Sequence, residues 1–388
     1  MRYRKHKNLN ISEIGIGCYS LSGVYGKKDI DEFKKMIVRA YELGVNFFDT
    51  AEAYGNAEQI LGEVVEPFRK NIHIATKVGV KEGIRPNLSK EYIKKACEES
   101  LRNLKTDYID LYQIHFDDPE RKIEEIISTL EELVKEGKII YYGVGHLPKE
   151  RVEEFCNKGN IFSILMELSA VSYDSREKLL PLCEKYDVGG ITFSTTGRGI
   201  LTGKINKETK FEPNDIRNMD PLFQREKFES GLRVCEKFKE IGGKYGKTSS
   251  QIAIAWVLSQ PKIICALTGP SKISHLEENL KASDFSIPKE DLEDIEKFLK
   301  EENDRLKFEQ KLSVKNILLN QLPDDPNKAF VDLVYAIETS ILLGLTTEEK
   351  IIPNFYELFE IRKSLNDKNS VEKLKNIQTK LKDFITLE

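Results

Sequence analysis

The feature that most constrains the fold of this chain is a repeated rhythm between residue 11 and about residue 283, in which a short apolar run precedes a segment of helical period. Most of the runs lack polar alternation, which is typical of parallel strands buried on both faces. The eight runs are ISEIGIGC, NFFDTA, IHIATK, YIDLYQIH, IIYYGVGH, FSILMELSA, GGITFST and IICALTG. Eight strand–helix units in series predict an α/β fold, a closed (β/α)8 TIM barrel, rather than an open sheet.

Two departures from the rhythm divide the chain. A long polar segment without sustained period, TGKINKETKFEPNDIRNMDPLFQREKF, separates runs seven and eight, and we expect it to form a loop over the C-terminal rim of the barrel. The rhythm ends near residue 303, after which helical segments follow one another. We predict a barrel over residues 1–303 and an added C-terminal α-helical domain over residues 304–388. The apolar helices of this domain either dock against the barrel or form an interface for a protein partner or self-association.

Composition argues against several classes of partner. The net charge of −4 gives no electrostatic basis for binding nucleic acid or an anionic membrane. The longest apolar-rich run, AFVDLVYAIETSILLGL, contains two acidic residues and is too short to span a bilayer. Six scattered cysteines form no C-x-x-C pair, so a disulfide framework, a zinc site and an iron–sulfur module are not expected. We predict a cytoplasmic protein with buried reduced thiols, no metal site and a small-molecule substrate.

Four polar residues coincide with the ends of three consecutive predicted strands. Asp49 ends the second strand and Tyr54 lies in the loop beyond it, while Lys77 ends the third strand and His115 the fourth. The C-terminal ends of the strands form the reactive face of a parallel barrel, so these side chains should converge on one rim.

This combination of residues suits proton donation to a carbonyl oxygen. A phenol has a pKa of about 10 in water, and a neighbouring ammonium group stabilises the phenolate and lowers that pKa. Lys77, held by Asp49, would act in this way on Tyr54, while His115 could orient a substrate oxygen. Because no side chain can supply a hydride, reduction of the carbonyl carbon would require a cofactor.

Over roughly residues 1–300 the chain resembles the aldo-keto reductase family. The motifs NFFDTAEAYGNAE, ATKVG, DLYQIH, GRGILTGK and LEENLKA occur in the family's order and spacing. The resemblance implies that Tyr54 is the acid, that Asp49 and Lys77 tune it, and that His115 orients the substrate. It also implies NADP(H) as the cofactor, although the sequence does not decide between NADP and NAD.

The resemblance further implies a set of cofactor contacts. Arg198 and the backbone of its GRG loop would meet the pyrophosphate, and the segment after the eighth strand would meet the adenosine end and a 2′-phosphate. The implied cofactor-binding residues are Gly145, His146, Met166, Ser194, Gly197, Arg198, Gly199, Ser271, Lys272, Glu278 and Asn279.

Around the nicotinamide end the sequence departs from the family pattern. The usual Ser-Asn after the fifth strand is Gly145-His146, and the usual Gln and Tyr of the sixth strand are replaced by Met166 and Ser169. After the seventh strand, the usual Ser-Pro-Leu is a Ser-Thr-Thr segment that begins at Ser194. Losing two hydrogen bonds and an aromatic stack would cost several kcal/mol, at about 1 kcal/mol or somewhat more for each. Either His146 or Glu167 compensates, or the cofactor binds more weakly or in an altered geometry.

Three functional hypotheses follow. The leading one is an NADP(H)-dependent oxidoreductase that reduces an aldehyde, a ketone or a sugar-like carbonyl. The second is a regulatory or scaffold protein that acts through its C-terminal helices, and it is motivated by the altered pocket and the added domain. The third is a non-redox lyase or epimerase on the same acid–base set. The sequence does not identify the substrate or the oligomeric state.

Overall fold

A computed structural model describes residues 1–26, 29–80, 85–172, 174–270, 272–365, 367 and 369–386. The chain divides into two compact units, Met1–Ile205 with Cys235–Lys289, and Asn206–Val234 with Glu290–Glu388. The segment between predicted strands seven and eight therefore belongs largely to the C-terminal unit. The boundary at residue 303 remains a prediction, and one continuous helix, Lys289–Leu319, passes through it.

Parallel strands in the described part of the chain close into an eight-stranded barrel, which confirms the predicted fold class. Each of the eight predicted runs contains one barrel strand, and the last strand pairs with the first through Ala266 and Ile14. The barrel strands are β3 (Ile14–Gly17), β4 (Phe47–Asp49), β5 (His73–Val78), β6 (Ile109–Ile114), β7 (Ile139–Gly145), β8 (Ser163–Glu167), β9 (Gly189–Phe193) and β10 (Ile263–Thr268), and they follow β1 (Tyr3–His6) and β2 (Leu9–Ser12).

Amphipathic helices alternate with the barrel strands, as the sequence predicts. In the first of them, the Asp29 side chain caps the N-terminus by accepting a hydrogen bond from the Glu32 amide, and Phe33, Met36 and Ile37 are buried. The α-helices are α1 (Ile30–Glu42), α2 (Ala57–Val65), α3 (Lys90–Asn103), α4 (Ile123–Lys135), α5 (Lys149–Lys158), α6 (Asp174–Lys178), α7 (Leu180–Tyr186), α8 (Arg225–Gly243), α9 (Ser249–Leu258), α10 (Ile273–Leu280), α11 (Lys289–Leu319), α12 (Pro326–Leu342), α13 (Glu348–Arg362) and α14 (Ser370–Phe384). Short 3-10 helices include Tyr19–Ser22 and Gly197–Thr202.

An antiparallel hairpin, β1–β2, closes the end of the barrel at which the strands begin. Leu9 and Ile11 belong to the same buried cluster as Phe47 and other barrel residues. The Arg4 guanidinium donates hydrogen bonds to the backbone oxygens of Ile263 (2.6 Å) and Leu258 (2.8 Å). With this end closed, the barrel presents its other end, where the strands terminate, as the place for a site.

The C-terminal unit has a hydrophobic core of its own. Its buried residues come from α11 to α14, and Met219 from the segment after β9 packs against them. The Tyr335 hydroxyl of α12 donates a 2.6 Å hydrogen bond to Glu226 of α8, which further joins that segment to the helices. No helix within the described ranges is long and apolar enough to cross a membrane.

Candidate active site

A buried ion pair lies at the base of the barrel mouth. Lys77 Nζ is 2.5 Å from Asp49 Oδ1 and donates a 2.7 Å hydrogen bond to the Thr50 backbone oxygen. The two charged side chains are 1% and 5% exposed, respectively. Asp49 is the last residue of β4, and Lys77 lies near the end of the adjacent strand β5, so the register of neighbouring strands brings them together.

Tyr54 and His115 lie next to this ion pair. Lys77 Nζ is 5.0 Å from the centroid of the Tyr54 ring, and the edge-on rings of Tyr54 and His115 have centroids 5.8 Å apart. The structure therefore brings to one end of the barrel all four residues that the sequence singled out, namely Asp49, Tyr54, Lys77 and His115. Their catalytic roles remain proposals.

The pKa of Tyr54 differs in direction from the sequence-based expectation. Burial raises it well above 10, and the Asp49 carboxylate raises it further. Tyr54 is consequently protonated at neutral pH, which is the form that an acid requires.

Both histidines at the mouth are neutral at pH 7. Burial lowers the pKa of His115 well below 6.5, and the charge of Lys77 lowers it further. Desolvation by its neighbours also lowers the pKa of His146, although its side chain remains exposed to solvent. A neutral imidazole carries one N–H donor and one acceptor, so either ring can orient a substrate oxygen.

Lowering the pH from 7 to 5 should destabilise the barrel. In this window the unfolded chain protonates His115 near pH 6.5, whereas the folded chain, with its lowered pKa, does not. Stability therefore rises with pH, by at most about 1.4 kcal/mol per pH unit for one histidine. Thermal unfolding at pH 7, 6 and 5 measures the slope, which His115→Gln should flatten. An unchanged slope in that variant would show that His115 makes no such contribution.

The residues predicted to hold the nicotinamide end follow β7, β8 and β9. His146 comes directly after β7, Met166 is buried within β8, and Ser194 follows β9. His146 and Ser194 both have left-handed backbones, with φ of 48° and 55°, which is uncommon for residues other than glycine and is often found at functional sites. At Gly145 a Cβ atom would lie 3.1 Å from that of Leu165, so a serine at this position would require a small shift of Leu165.

The loop predicted to bind the pyrophosphate has an unusual backbone. Gly197, Arg198 and Gly199 all have positive φ (58°, 51° and 102°). The amides of both glycines already donate to the backbone oxygens of Ser194 and Thr196, so the Arg198 side chain is the better candidate for an anion contact. In this structure its Nη2 lies 3.2 Å from Glu167 Oε2 at the end of β8.

The predicted adenosine-side residues lie in and just before α10. Lys272 occupies the N-cap position without a side-chain capping bond, and its side chain is exposed. Glu278 and Asn279 are half-buried in the helix, with Glu278 3.8 Å from Lys204. Ser271 lies outside the described residues.

Three aromatic residues at the mouth were not identified from the sequence. Tyr19 packs against Tyr54 with ring centroids 5.0 Å apart, and Phe116 stacks on His146 at 4.8 Å. The ring of Phe193, the last residue of β9, has its centroid 4.9 Å from that of His146, and the two rings are tilted by 40°. His146 and Phe193 extend from the strands on either side of β8. In the sequence, only their positions at or just after the ends of strands indicated that these aromatic residues could belong to the site.

Several buried polar atoms near the ends of β3, β4 and β6 have no hydrogen-bond partner within the described ranges. They are Ser20 Oγ, Asp49 Oδ2, Thr50 Oγ1 and His115 Nδ1. Buried polar groups are normally satisfied, so such a cluster indicates an external polar ligand. With the aromatic rings of His146 and Phe193 and the Arg198 guanidinium, these atoms fit a polar ring joined to an anionic group, as in a nicotinamide nucleotide. No cluster of three metal-ligating side chains occurs in the described part of the chain.

Comparison with known proteins identifies the family of the chain. A family model described as the Aldo/keto reductase family matches residues 13–300. The uncharacterized oxidoreductase YqkF of Bacillus subtilis is 36% identical over 293 residues, which is 73% of this chain and 91% of that protein. The aldo-keto reductase str7 of Strobilurus tenacellus is 32% identical over 310 residues, covering 77% of this chain and 92% of the relative.

Solved structures show the same likeness. The glycerol dehydrogenase AKR11B4 from Gluconobacter oxydans superposes with a TM-score of 0.71 at 28% identity, covering 76% of this chain and 94% of that one. The holo form of the aldo-keto reductase AKR11C1 from Bacillus halodurans gives a TM-score of 0.66 at 29% identity, with 76% and 96% covered.

Proposed function

The chain belongs to the aldo-keto reductase family of carbonyl oxidoreductases, and on this basis we propose that it is an NADP(H)-dependent enzyme that reduces an aldehyde, a ketone or a sugar-like carbonyl. Tyr54 is the proton donor in this proposal, and composition favours a cytoplasmic location. The observation that carries it is the buried Asp49–Lys77 pair beside Tyr54 and His115.

Each residue of the set has a distinct task in the proposed reaction. The bound cofactor supplies the hydride. His115 donates its single N–H to the substrate oxygen and fixes its direction. Tyr54 holds its proton at the hydroxyl and releases it as negative charge develops on that oxygen. Lys77 then stabilises the tyrosinate, because its ammonium group lies over the phenol ring and is kept in place by Asp49 and the Thr50 carbonyl.

The cofactor is held by residues of the same end of the barrel. Arg198 meets the pyrophosphate, His146 and Phe193 face the nicotinamide ring, and Lys272 meets the 2′-phosphate. The preference for NADP(H) over NAD(H) rests on Lys272, whose exposed side chain forms no ion pair with any other residue that the structure describes.

Titration of the full chain with NADPH and with NADH, followed by protein fluorescence, tests the proposal. NADPH should bind more tightly, and Lys272→Gln should bring the two affinities closer together. The absence of binding at millimolar cofactor would refute the function, while equal affinities for both cofactors would refute only the preference for the 2′-phosphate. Turnover with a panel of aldehydes and ketones then tests the reaction.

Glu167→Gln should tighten NADPH binding by about two- to fivefold. In the structure Glu167 pairs with Arg198 and would compete with an anionic ligand for it, and a partly exposed ion pair of this kind contributes up to about 1 kcal/mol. Removing the carboxylate frees the guanidinium without altering the shape of the side chain. Equilibrium titration of NADPH at constant ionic strength measures the change.

The chain offers a matched control for this variant. Asp117 pairs with Arg151 at 2.9 Å, in a loop that follows β6 at the same end of the barrel. Asp117→Asn removes one negative charge from the rim but leaves Arg198 paired, so NADPH affinity should remain near that of the parent chain. Weaker binding in Glu167→Gln would show instead that Glu167 positions Arg198 for the cofactor.

A further inference from the structure

The C-terminal unit contains a cleft that the proposed reaction does not use. It has a volume of about 680 Å³ and lies between the segment after β9 and the helices α12 and α13. This volume is within the range of small-molecule sites, which run from about 300 to 1,000 Å³. Every lining residue belongs to this one unit.

The floor of the cleft is apolar. Phe330 is buried at 3% exposure, and Met219, Val331 and Leu365 are partly buried against the core of the unit. Phe211 adds an aromatic wall. These side chains offer a surface that would favour a hydrocarbon or aromatic body over a sugar or a hydrated ion.

The charges of the cleft leave an excess of cations at its rim. The two lining carboxylates are each matched by an arginine, because Asp215 accepts from Arg217 at 2.6 Å and Asp332 accepts from Arg225 at 2.6 Å. Lys328 and the terminal arginine of α13 also line the cleft, and neither side chain forms a hydrogen bond or ion pair with any other described residue.

The terminal arginine of α13 is Arg362. It lies on a different helix from Lys328, yet both side chains border the same apolar floor. Two unpaired cations above an apolar surface complement a molecule with one anionic end and one apolar end.

We infer that this cleft is a binding site for a small amphipathic carboxylate, with the carboxylate at Lys328 and Arg362 and the apolar body on the floor around Phe330. None of the lining residues of this cleft belongs to the proposed active site. A charge-assisted hydrogen bond accounts for the head group and area burial for the tail.

Calorimetric titration of the full chain with decanoate tests the inference. One molecule should bind per chain, and decanol, which has a similar tail but no charge, should bind at least about tenfold more weakly. The double variant Lys328→Gln/Arg362→Gln should lose at least about tenfold in decanoate affinity. The double variant Lys311→Gln/Lys315→Gln removes the same charge from α11, outside the cleft, and should bind like the parent.

Three results would overturn the inference. The first is no decanoate binding at millimolar concentration. The second is equal affinity in the parent and the Lys328→Gln/Arg362→Gln variant, which would place any binding elsewhere. The third is decanol binding as tightly as decanoate, which would show that the rim cations do not recognise the carboxylate. Circular dichroism of each variant verifies that the helices remain folded.

Discussion

Replacing Tyr54 with phenylalanine is expected to lower carbonyl turnover by about 10²- to 10⁴-fold, the range that a positioned general acid contributes. The phenyl ring keeps the packing against Tyr19 and His115, so the shape of the mouth is preserved. Only the proton that would neutralise the developing alkoxide is lost. Single-turnover measurements with NADPH isolate this step, and NADPH affinity should be unchanged within about twofold, since a lost transition-state interaction leaves ground-state binding intact.

Tyr19→Phe is the matched control for this experiment. Tyr19 is a phenol at the same end of the barrel, with its ring centroid 5.0 Å from that of Tyr54. The charged groups that act on Tyr19 are Arg198 and Glu167 and not the Asp49–Lys77 pair, so the loss of its hydroxyl should change turnover far less. Equal losses in the two variants would contradict the assignment of Tyr54 as the acid, and so would unchanged turnover in Tyr54→Phe.

Replacing Lys77 with methionine should both abolish most turnover and destabilise the fold by about 3–5 kcal/mol. The Asp49 side chain is 5% exposed, and without Lys77 its carboxylate would be buried with no opposite charge. Urea unfolding of the variant and of the parent measures the loss. The double variant Asp49→Asn/Lys77→Met buries no unmatched charge, so it should recover much of the stability but none of the activity.

The Lys77→Met variant should also acquire a new pH dependence. Burial raises the pKa of the Asp49 carboxyl, and the Lys77 charge opposes that rise. Without Lys77 the folded protein would hold the proton at higher pH than the unfolded chain does. Stability would then be lost as pH rises through the new pKa and regained as pH falls. The same stability loss at pH 5 and pH 8 would argue against a charged Asp49 as the cause.

The barrel could be predicted from sequence because its strands are apolar on both faces and its helices carry one apolar stripe. The hairpin β1–β2 escaped prediction because its strands have four residues each and β1, YRKH, is mostly charged. Those charges are used locally, as in the ion pairs that Arg2 and Arg4 form with Glu13. Strands as short and polar as β1 do not show the apolar run from which a barrel strand can be predicted.

The four-residue set could be predicted because the strand-end rule of barrels converts sequence position into spatial proximity. The contacts of the residues at the ends of β7, β8 and β9 could not be predicted, because they depend on backbone conformation. The left-handed conformation of Arg198 is part of the geometry that directs its side chain to Glu167, and nothing in the letters GRG specifies it. The contact between the rings of His146 and Phe193 likewise depends on side-chain directions that the order of the strands does not specify.

The hairpin that closes the barrel has a consequence for synthesis. Arg4 binds the Ile263 backbone oxygen across 259 positions of sequence, so the hairpin leaves the ribosome long before this partner is made. At about 5–20 residues per second, that interval is on the order of ten seconds to a minute. During this time Leu9 and Ile11 have no complete barrel to cover, and the nascent chain must shield them by other means. The hairpin is therefore translated before the barrel that it closes.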